Sequence, residues 1–460
     1  MEDLPKALVK EILNRITTTS DLNSLSLVSK QLYKIEGNQR GAIRVGSGLP
    51  TATNALTSFC ARFPNLRKVE IDYSGWIPGH GKQLDKKGLS VLSSHCSLLV
   101  DLTLSFCSCI DDSGLGCLAN CKKLVSLRLN STPQITSIGL FSVVVGCTSP
   151  SALHLIGCEK IDSVEWLEYL GWMKLQKFEF EGKRGRYDCI TGDVVYDSSY
   201  DAHRMDLYDF CCETLKDLRL ARIKTWPEVG LRVVLEKCKA LEKLCLENVC
   251  ALNDNDMIAL SRSCSDLKSI SLWLNLQLYS SDVGYCETRT SFTDNSLYAL
   301  ALNCRMLQMI DLSFRGCDAD WPLEIGFSQE GFLVLIQSCP IRVLVLNNAN
   351  FFDDKGMKAL ASSPHLETLE LILCHAVTDA GMRFIAAHTP CLSNLTLRMC
   401  HHITDVGVAE LRRAHKLESL VIEYCCKVSV QPAQGVAKSI HYSSNYSDAL
   451  RKKVGLGGYW

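Results

Sequence analysis

The chain has 460 residues, too many for one ordinary compact core, and 47% of them are hydrophobic, enough for the continuous core of several domains or a repeat array. Its 49 basic and 50 acidic residues leave a formal net charge of −1, so no bulk field attracts nucleic acid or anionic lipid. No apolar run reaches the ~18 residues of a membrane span, and the start "MEDLPKALVKEIL" lacks the features of a signal peptide, so we expect a cytoplasmic or nuclear protein.

The first forty residues predict a unit of three short helices. Leu8, Ile12 and Ile16 form one apolar helical stripe after Leu4-Pro5, and Asp21 is the predicted cap after a polar break. Two short helical pieces then carry Leu22, Leu25, Leu27, Val28, Leu32 and Tyr33. Three short helices cannot bury all of this apolar surface by themselves. Part of it therefore either contacts a partner protein or caps the array that follows.

A fixed period begins after residues 41–59, which we interpret as a connector or N-terminal capping segment. The pattern C-x2-L-x2-L-x-L recurs, and its strand leucines or their equivalents are Val69, Leu102, Leu127, Leu153, Phe178, Leu218, Leu244, Ile270, Ile310, Leu344, Leu369, Leu395 and Leu420. Eight of the twelve steps between them are 25 or 26 residues long, and the other four carry insertions. This period indicates a solenoid of about 13 repeats over residues 60–430.

Each repeat predicts one strand and one helix. The leucines of the L-x-L stretch alternate, so they point into the core while the residues between them face outward. A helix start such as "ITDVGV" at 403 follows, where Thr or Asp caps the exposed amides. We expect the strands to stack about 4.8 Å apart as a parallel sheet on the concave face, with the helices on the convex face.

Two cysteine ladders follow the same period and account for 13 of the 24 cysteines, which we expect to be reduced. Eight occupy one slot before the strand, namely Cys96, Cys121, Cys147, Cys212, Cys238, Cys264, Cys304 and Cys339, and Ser363, Thr389 and Ala414 fill it elsewhere. Five follow the strand: Cys107, Cys158, Cys374, Cys400 and Cys425. A slot that accepts Cys, Ser, Thr or Ala requires a small buried side chain. No four cysteines or histidines occur in the sequence at the spacing of a zinc finger, so we expect no metal and no cofactor.

Both parts of the chain resemble known families. Stretches such as "CKKLVSLRLNSTPQITSIGL" and "CLSNLTLRMCHHITDVGV" resemble the cysteine-containing leucine-rich repeats. Residues 1–40 resemble an F-box, through Leu4-Pro5, Ile12-Leu13, Asp21-Leu22 and "SLVSKQLY" at 26. The whole chain is most similar to plant F-box/leucine-rich-repeat proteins. The resemblance implies an α/β fold, with a short all-helical F-box head followed by a curved right-handed leucine-rich-repeat solenoid.

The resemblance implies a non-catalytic adaptor. Such proteins dock the F-box on a Skp1-like adaptor, join a cullin–RING ubiquitin ligase and hold a protein substrate on the repeats. It implies adaptor contacts by Leu4, Pro5, Leu8, Ile12, Leu13, Leu22, Leu25, Val28 and Tyr33. One alternative is a leucine-rich-repeat scaffold without a ubiquitin-ligase role. An enzyme is the other, although no nucleophile–base constellation, nucleotide loop or metal motif is recognisable.

The outward strand residues and the insertions are the candidate substrate-binding surface. Both signs of charge are interspersed on the strands, and we expect substrate contacts at Arg128, Arg219, Trp273, Asp311 and Arg398. Insertions around 73–84, 181–207, 274–292 and 315–328 carry Trp76, Tyr187, Tyr196, Tyr200, Tyr279, Tyr285 and Trp321. These insertions either roof a pocket or form surface loops. Residues 431–460 are interpreted as a C-terminal cap or flexible tail.

Overall fold

The computed structural model describes residues 5–16, 18–46, 52–77, 79, 81–147, 150–161, 174–182, 186–187, 194–195, 212–223, 231–249, 252–275, 291–315 and 326–444. Leu4 and the insertion residues Tyr196, Tyr200, Tyr279, Tyr285 and Trp321 lie outside the described residues. The chain divides into two compact units, Met1–Tyr200 with Leu207–Leu215, and Asp201–Asp206 with Lys216–Trp460. Among the described residues, no helix is both long and apolar enough to cross a membrane.

The head of the first unit is a three-helix cluster with a small core of its own. It consists of α1 (Lys6–Asn14), α2 (Thr19–Ser26) and α3 (Lys30–Gln39). Its hydrophobic core consists of Val9, Leu13, Leu32 and Ile35, and Ile16, Leu22 and Leu25 pack against them. A hydrophobic core of this size contributes little stability by itself.

Thr18 and Ser29 begin the second and third helices. Thr18 Oγ1 accepts a hydrogen bond from the Asp21 amide at 3.3 Å, and Ser29 Oγ accepts one from the Leu32 amide at 3.1 Å. The prediction that Asp21 caps α2 is therefore wrong. Asp21 lies in the first turn of the helix, where the helix dipole favours an acidic side chain.

The described residues of the first unit form six parallel strands in chain order. They are β1 (Ala42–Gly46), β2 (Lys68–Asp72), β3 (Asp101–Ser105), β4 (Ser126–Asn130), β5 (Ala152–Ile156) and β6 (Lys177–Glu181). The helices between successive strands are α4 (Ala52–Arg62), α5 (Lys86–His95), α6 (Asp112–Leu115) and α7 (Ser137–Gly146), with a 3-10 turn at Gly116–Asn120. A short antiparallel pair, β7 (Arg186–Tyr187) and β8 (Val194–Val195), follows β6. The segment 41–59 thus supplies the first strand of the sheet.

The second unit continues the same alternation in the residues that the structure describes. Its nine parallel strands are β9 (Asp217–Ala221), β10 (Lys243–Glu247), β11 (Ser269–Asn275), β12 (Met309–Arg315), β13 (Val343–Asn347), β14 (Thr368–Ile372), β15 (Asn394–Arg398), β16 (Ser419–Glu423) and β17 (Ser439–Ser443). Its helices are α8 (Arg232–Lys237), α9 (Asp254–Ser263), α10 (Asp294–Asn303), α11 (Gln329–Ser338), α12 (Asp354–Leu360), α13 (Asp379–His388), α14 (Asp405–Glu410) and α15 (Val430–Ala433), with a 3-10 turn at Leu411–Arg413. The segment after residue 430 therefore adds a further strand.

The strand register confirms the predicted core positions and the α/β repeat fold. In the first unit, Val69, Leu102, Leu127, Leu153 and Phe178 pair in one row. In the second, the row runs through Leu218, Leu244, Ile270, Ile310, Leu344, Leu369, Leu395 and Leu420. All of these side chains are buried. The residues that alternate with them point to the opposite side of the sheet, which we term the strand face.

An ion-pair and aromatic cluster joins the head to the first repeat helix. Glu36 is 2% exposed and forms ion pairs with Arg40 and, at 3.0 Å, with Arg62. The Arg62 guanidinium carbon also lies 4.0 Å from the Tyr33 ring centroid and 4.8 Å from that of Phe63. Because a buried carboxylate needs cationic partners, these contacts hold α3 against α4.

An aspartate at the start of many repeat helices binds the cap of the next helix. Asp354 accepts hydrogen bonds from the Thr378 amide at 2.9 Å and hydroxyl at 2.6 Å. The same two bonds join Asp112 to Thr136, Asp254 to Thr293, Asp294 to Ser328, Asp379 to Thr404 and Asp405 to Ser429. One carboxylate thereby fixes a helix start in the following repeat.

This junction explains the glycine three residues after several caps. A Cβ atom at Gly407 would lie 2.3 Å from Asp379 Oδ1, so a side chain there would have to displace the carboxylate. Where Ser296 occupies the equivalent position, its hydroxyl donates to Asp254 Oδ1 at 2.5 Å. The position therefore accepts either no side chain or one that bonds the carboxylate.

The cysteine ladders are buried, as predicted, and their thiols form hydrogen bonds with backbone carbonyls of the preceding repeat. Cys264 Sγ donates to the Cys238 carbonyl at 3.0 Å, and Cys304 and Cys339 each donate to the preceding cysteine of the ladder. In the second ladder, Cys374, Cys400 and Cys425 donate to the carbonyls of Leu346, Leu371 and Leu397, respectively. Burial raises the pKa of the Cys264 and Cys304 thiols to about 12, so both remain neutral donors at pH 7.

Candidate functional site

Among its described residues, the head leaves five large apolar side chains exposed after its own core is filled. Leu8 and Ile12 on α1 are 50% and 46% exposed, and Leu27, Val28 and Tyr33 are 85%, 62% and 45% exposed. Leu8 and Ile12 are four residues apart in the helix, so they lie on the same side of α1. We term these five the exposed head residues. Single exposed apolar residues are ordinary, but five on so small a unit make the head a candidate protein-binding surface.

The structure divides the predicted adaptor contacts into exposed and buried residues. Pro5, Leu8, Ile12, Val28 and Tyr33 are exposed, whereas Leu22 and Leu25 are half-buried against the core of the head. Leu13 is 5% exposed and belongs to that core, so it offers a partner almost no surface. Leu27 was absent from the predicted contacts, although its exposed fraction is the largest of the five.

Ion pairs between neighbouring strands occupy much of the strand face. Arg219 Nη2 donates to Glu247 at 2.8 Å, and Arg398 Nε donates to Glu423 at 2.7 Å. Both arginines were predicted substrate contacts. Each is held by the carboxylate of the next strand, so its charge is already balanced within the chain.

In the first unit, the predicted contact Arg128 is exposed on β4 and lies beside His154 in the sheet register. His154 is 3% exposed, and its Nδ1 is 2.7 Å from a carboxylate oxygen of Glu179 on β6. This row places a guanidinium, an imidazole and a carboxylate on three successive strands. The alternation of the strand sequences predicts that all three face outward, but it does not reveal the hydrogen bond between His154 and Glu179.

Two predicted substrate contacts of the second unit meet directly. Trp273 Nε1 donates a hydrogen bond of 2.8 Å to Asp311 Oδ2, across β11 and β12. Asp311 is 9% exposed, and Trp273 is half-buried. Burial, the largest cause, raises the pKa of Asp311, and the Glu370 carboxylate raises it further, while hydrogen bonds from Trp273 and Ser271 oppose the shift.

Three histidines and a cysteine lie on the turns after β14, β15 and β16. The rings of His375 and His401 stack with centroids 5.4 Å apart, and Cys426 Sγ lies 3.4 Å from His401 Nδ1. His402 Nδ1 is 2.7 Å from the His375 carbonyl oxygen. Within the described ranges, no group of three or more His, Cys, Asp or Glu side chains has the arrangement of a metal site.

Two segments of the chain match models of known families. Residues 1–40 match the F-box domain, and residues 362–386 match the family described as Leucine Rich repeat. The chain therefore contains an F-box domain and leucine-rich repeats, as the sequence led us to expect.

Two solved structures resemble the fold. One is the crystal structure of the Rad7 and Elc1 complex in yeast, at 15% identity and a TM-score of 0.51, covering 96% of this chain and 94% of that chain. The other is the TLR13–ssRNA13 complex, at 13% identity and a TM-score of 0.41, covering 90% of this chain and 59% of that one. The first likeness supports the fold alone, and the second is too distant to support any conclusion about this chain.

Proposed function

We propose that this chain is the substrate receptor of a Skp1–cullin–F-box ubiquitin ligase. Its exposed head residues bind a Skp1-like adaptor, through which the cullin and RING proteins are recruited. Its repeats hold a protein substrate for ubiquitination, and the chain itself performs no bond chemistry. It acts in the cytoplasm or the nucleus. The observation that carries the proposal is the set of five exposed apolar side chains on a unit that matches the F-box.

Burial of these side chains supplies a driving force for adaptor binding. Removing a Leu, Ile or Val side chain fully from water contributes roughly 1.5–3 kcal/mol, and the entropy of association opposes the sum. Leu8 and Ile12 are about half exposed, while Leu27 still has 85% of its surface to bury. The solved structure that resembles this chain in fold is a complex of two proteins, Rad7 and Elc1, and we propose a protein partner for this chain by analogy with it.

The test is co-expression of the full chain with a Skp1-like adaptor, followed by size-exclusion chromatography with light scattering. We expect a one-to-one complex with the unaltered chain, and its loss with Ile12→Asp or Leu27→Asp. Leu302→Asp is the matched control, because Leu302 is a 67% exposed leucine on α10, outside the head. If the head variants bind as well as the control does, the exposed head residues are not the adaptor surface.

A second candidate function is a repeat scaffold in which the head only caps the array. The contact of Glu36 with Arg62 favours this alternative, because it ties α3 to the first repeat helix as a cap would. The same co-expression separates the two functions. A folded chain that forms no complex with the adaptor would favour the scaffold.

A further inference from the structure

Two carboxylates on the strand face of the second unit have no cationic partner among the described residues. The neighbouring Glu247 and Glu423 are paired with Arg219 and Arg398, and Glu423 also lies 3.4 Å from His441 Nε2. Among the described residues, Asp311 receives hydrogen bonds from Trp273 and Ser271 and forms no ion pair. Glu370 makes no ion pair within the part of the chain that the structure describes.

The unpaired carboxylates flank an apolar position. Asp311 on β12 pairs in register with Val345 on β13, which pairs with Glu370 on β14. Because adjacent strands lie ~4.8 Å apart, the two backbone positions are separated by roughly 10 Å, with Val345 between them. The indole of Trp273 bonds Asp311 from β11, on the side away from Val345. We term Trp273, Asp311, Val345 and Glu370 the acidic frame.

The acidic frame leaves a negative charge in a poorly hydrated place. Asp311 is 9% exposed, and Glu370 and Val345 are half-buried. Hydrogen bonds from neutral donors stabilise a buried carboxylate less completely than a cation does. The nearby charges of Asp311 and Glu247 also contribute to the raised pKa of the Cys245 thiol, after the larger effect of its burial. The centre of this strand face is therefore complementary to a positive group.

Resting on the proposed function, we propose that the acidic frame binds a Lys or Arg side chain on an exposed segment of the substrate. The cationic end pairs with Asp311 and Glu370, and the aliphatic stem packs on Val345. The Trp273 indole orients the Asp311 carboxylate through its Nε1–H hydrogen bond. A neutral or acidic side chain gains no such pairing and leaves both carboxylates uncompensated, so the frame selects by charge.

The test measures the charge preference of the full chain co-purified with its adaptor. Synthetic peptide pools that differ only in one fixed central residue, Arg, Lys or Gln, are titrated by fluorescence polarisation. We expect the Arg or Lys pool to bind about tenfold tighter than the Gln pool, the ratio expected of one charge-assisted contact. Equal binding of the three pools, or no binding of any, would overturn the proposal.

Two isosteric variants test whether the acidic frame causes the preference for a cationic peptide. Asp311→Asn and Glu370→Gln remove one charge each, and together they should reduce the preference to less than about twofold. Glu418→Gln is the matched control, because it removes an exposed carboxylate that pairs with Lys438 before β16. A preference that survives the double substitution overturns the assignment. Co-elution with the adaptor is read on every sample, so failure of the proposed ligase role is recorded separately.

Discussion

Asp379 and Thr404 form a two-bond junction between successive repeats. Asp379 Oδ1 accepts from the Thr404 amide, and Oδ2 accepts from the Thr404 hydroxyl, both at 2.7 Å. Thr404 is also the N-cap of α14, since its hydroxyl accepts from the Val406 amide. The start of one helix is thus set by the side chain of the helix before it.

Replacing Asp379 by Ala should destabilise the second unit by about 2–3 kcal/mol, because two charge-assisted hydrogen bonds are lost and the Thr404 amide is left without its acceptor. The free energy of unfolding in urea measures the effect. Asp266→Ala, at an exposed aspartate that precedes β11, should change it by less than about 0.5 kcal/mol. Equal effects of the two substitutions would contradict a structural role for the junction.

Replacing Gly407 by Ala should be destabilising, although Ala favours a helix over Gly by about 1 kcal/mol. The added Cβ would lie 2.3 Å from Asp379 Oδ1, so the junction must open. Gly116→Ala is the matched control, because the nearest atom, Ser142 Cβ, is 3.8 Å from its added Cβ. Thermal unfolding should show a lowered Tm for the first variant and an unchanged or raised Tm for the second. A raised Tm for Gly407→Ala would disprove the steric argument.

The cysteines should separate into two reactivity classes. Cys109 and Cys426 are exposed and should react with a maleimide in the folded chain, whereas Cys264 and Cys374 should react only after unfolding. Burial raises the pKa of Cys264 to about 12 and that of Cys374 to about 11, so raising the pH from 7 to about 9 should not expose a thiolate at either site. Mass spectrometry of labelled peptides measures each site. Rapid labelling of Cys264 in the folded chain would show that its thiol is accessible to solvent.

The stability contribution of Asp311 should depend on pH. Its pKa is raised in the folded state by burial and by Glu370, so folding disfavours the charged form. Asp311 therefore lowers stability above its folded-state pKa, and this unfavourable effect disappears as the pH falls through and below that value. Asp311→Asn should raise the free energy of unfolding at pH 7, and the gain should shrink near pH 4. A gain that is the same at both pH values would contradict this account.

Core and head substitutions should have separable effects. Leu244 is 2% exposed in the continuous leucine row, and Leu244→Ala should cost about 2–5 kcal/mol of stability. The more drastic Leu244→Asp should destabilise the neighbouring repeats severely, while Ile12→Asp should spare them and weaken adaptor binding. Circular dichroism of the unfolding transition, recorded beside adaptor co-elution, distinguishes the two. If Leu244→Asp melts like the unaltered chain, the strand register is incorrect.

The repeat register could be predicted because it depends on local alternation alone. The two leucines of each L-x-L stretch, such as Leu244 and Leu246, point to the core because side chains alternate along a strand. The period of 25 or 26 residues aligns these leucines between repeats. The segments β1 and β17 could not be recognised in the same way. Their sequences, AIRVG and SIHYS, lack the paired leucines, and their place in the sheet depends on pairing with β2 and β16.

The division of the head residues could not be predicted for a different reason. Ile12 and Leu13 are adjacent in one short helix and have similar hydrophobicity. Whether one or the other faces α3 depends on how the three helices pack, which periodicity does not determine. The sequence predicts two members of the acidic frame, Trp273 and Asp311, as substrate contacts. The second carboxylate of the frame, Glu370, required the register across β13.

The junction between Asp379 and Thr404 also bears on how such a chain changes length in evolution. Every junction of this type uses one carboxylate and one hydroxyl-bearing cap, so neighbouring repeats are interchangeable parts. Deleting residues 378–403 would join Val377 to Thr404 and place Thr404 opposite Asp354, with Gly407 again beside the carboxylate. Recombination between repeats therefore conserves the bonds that hold the array together, and the gain or loss of whole repeats is a route by which its binding surface diversifies.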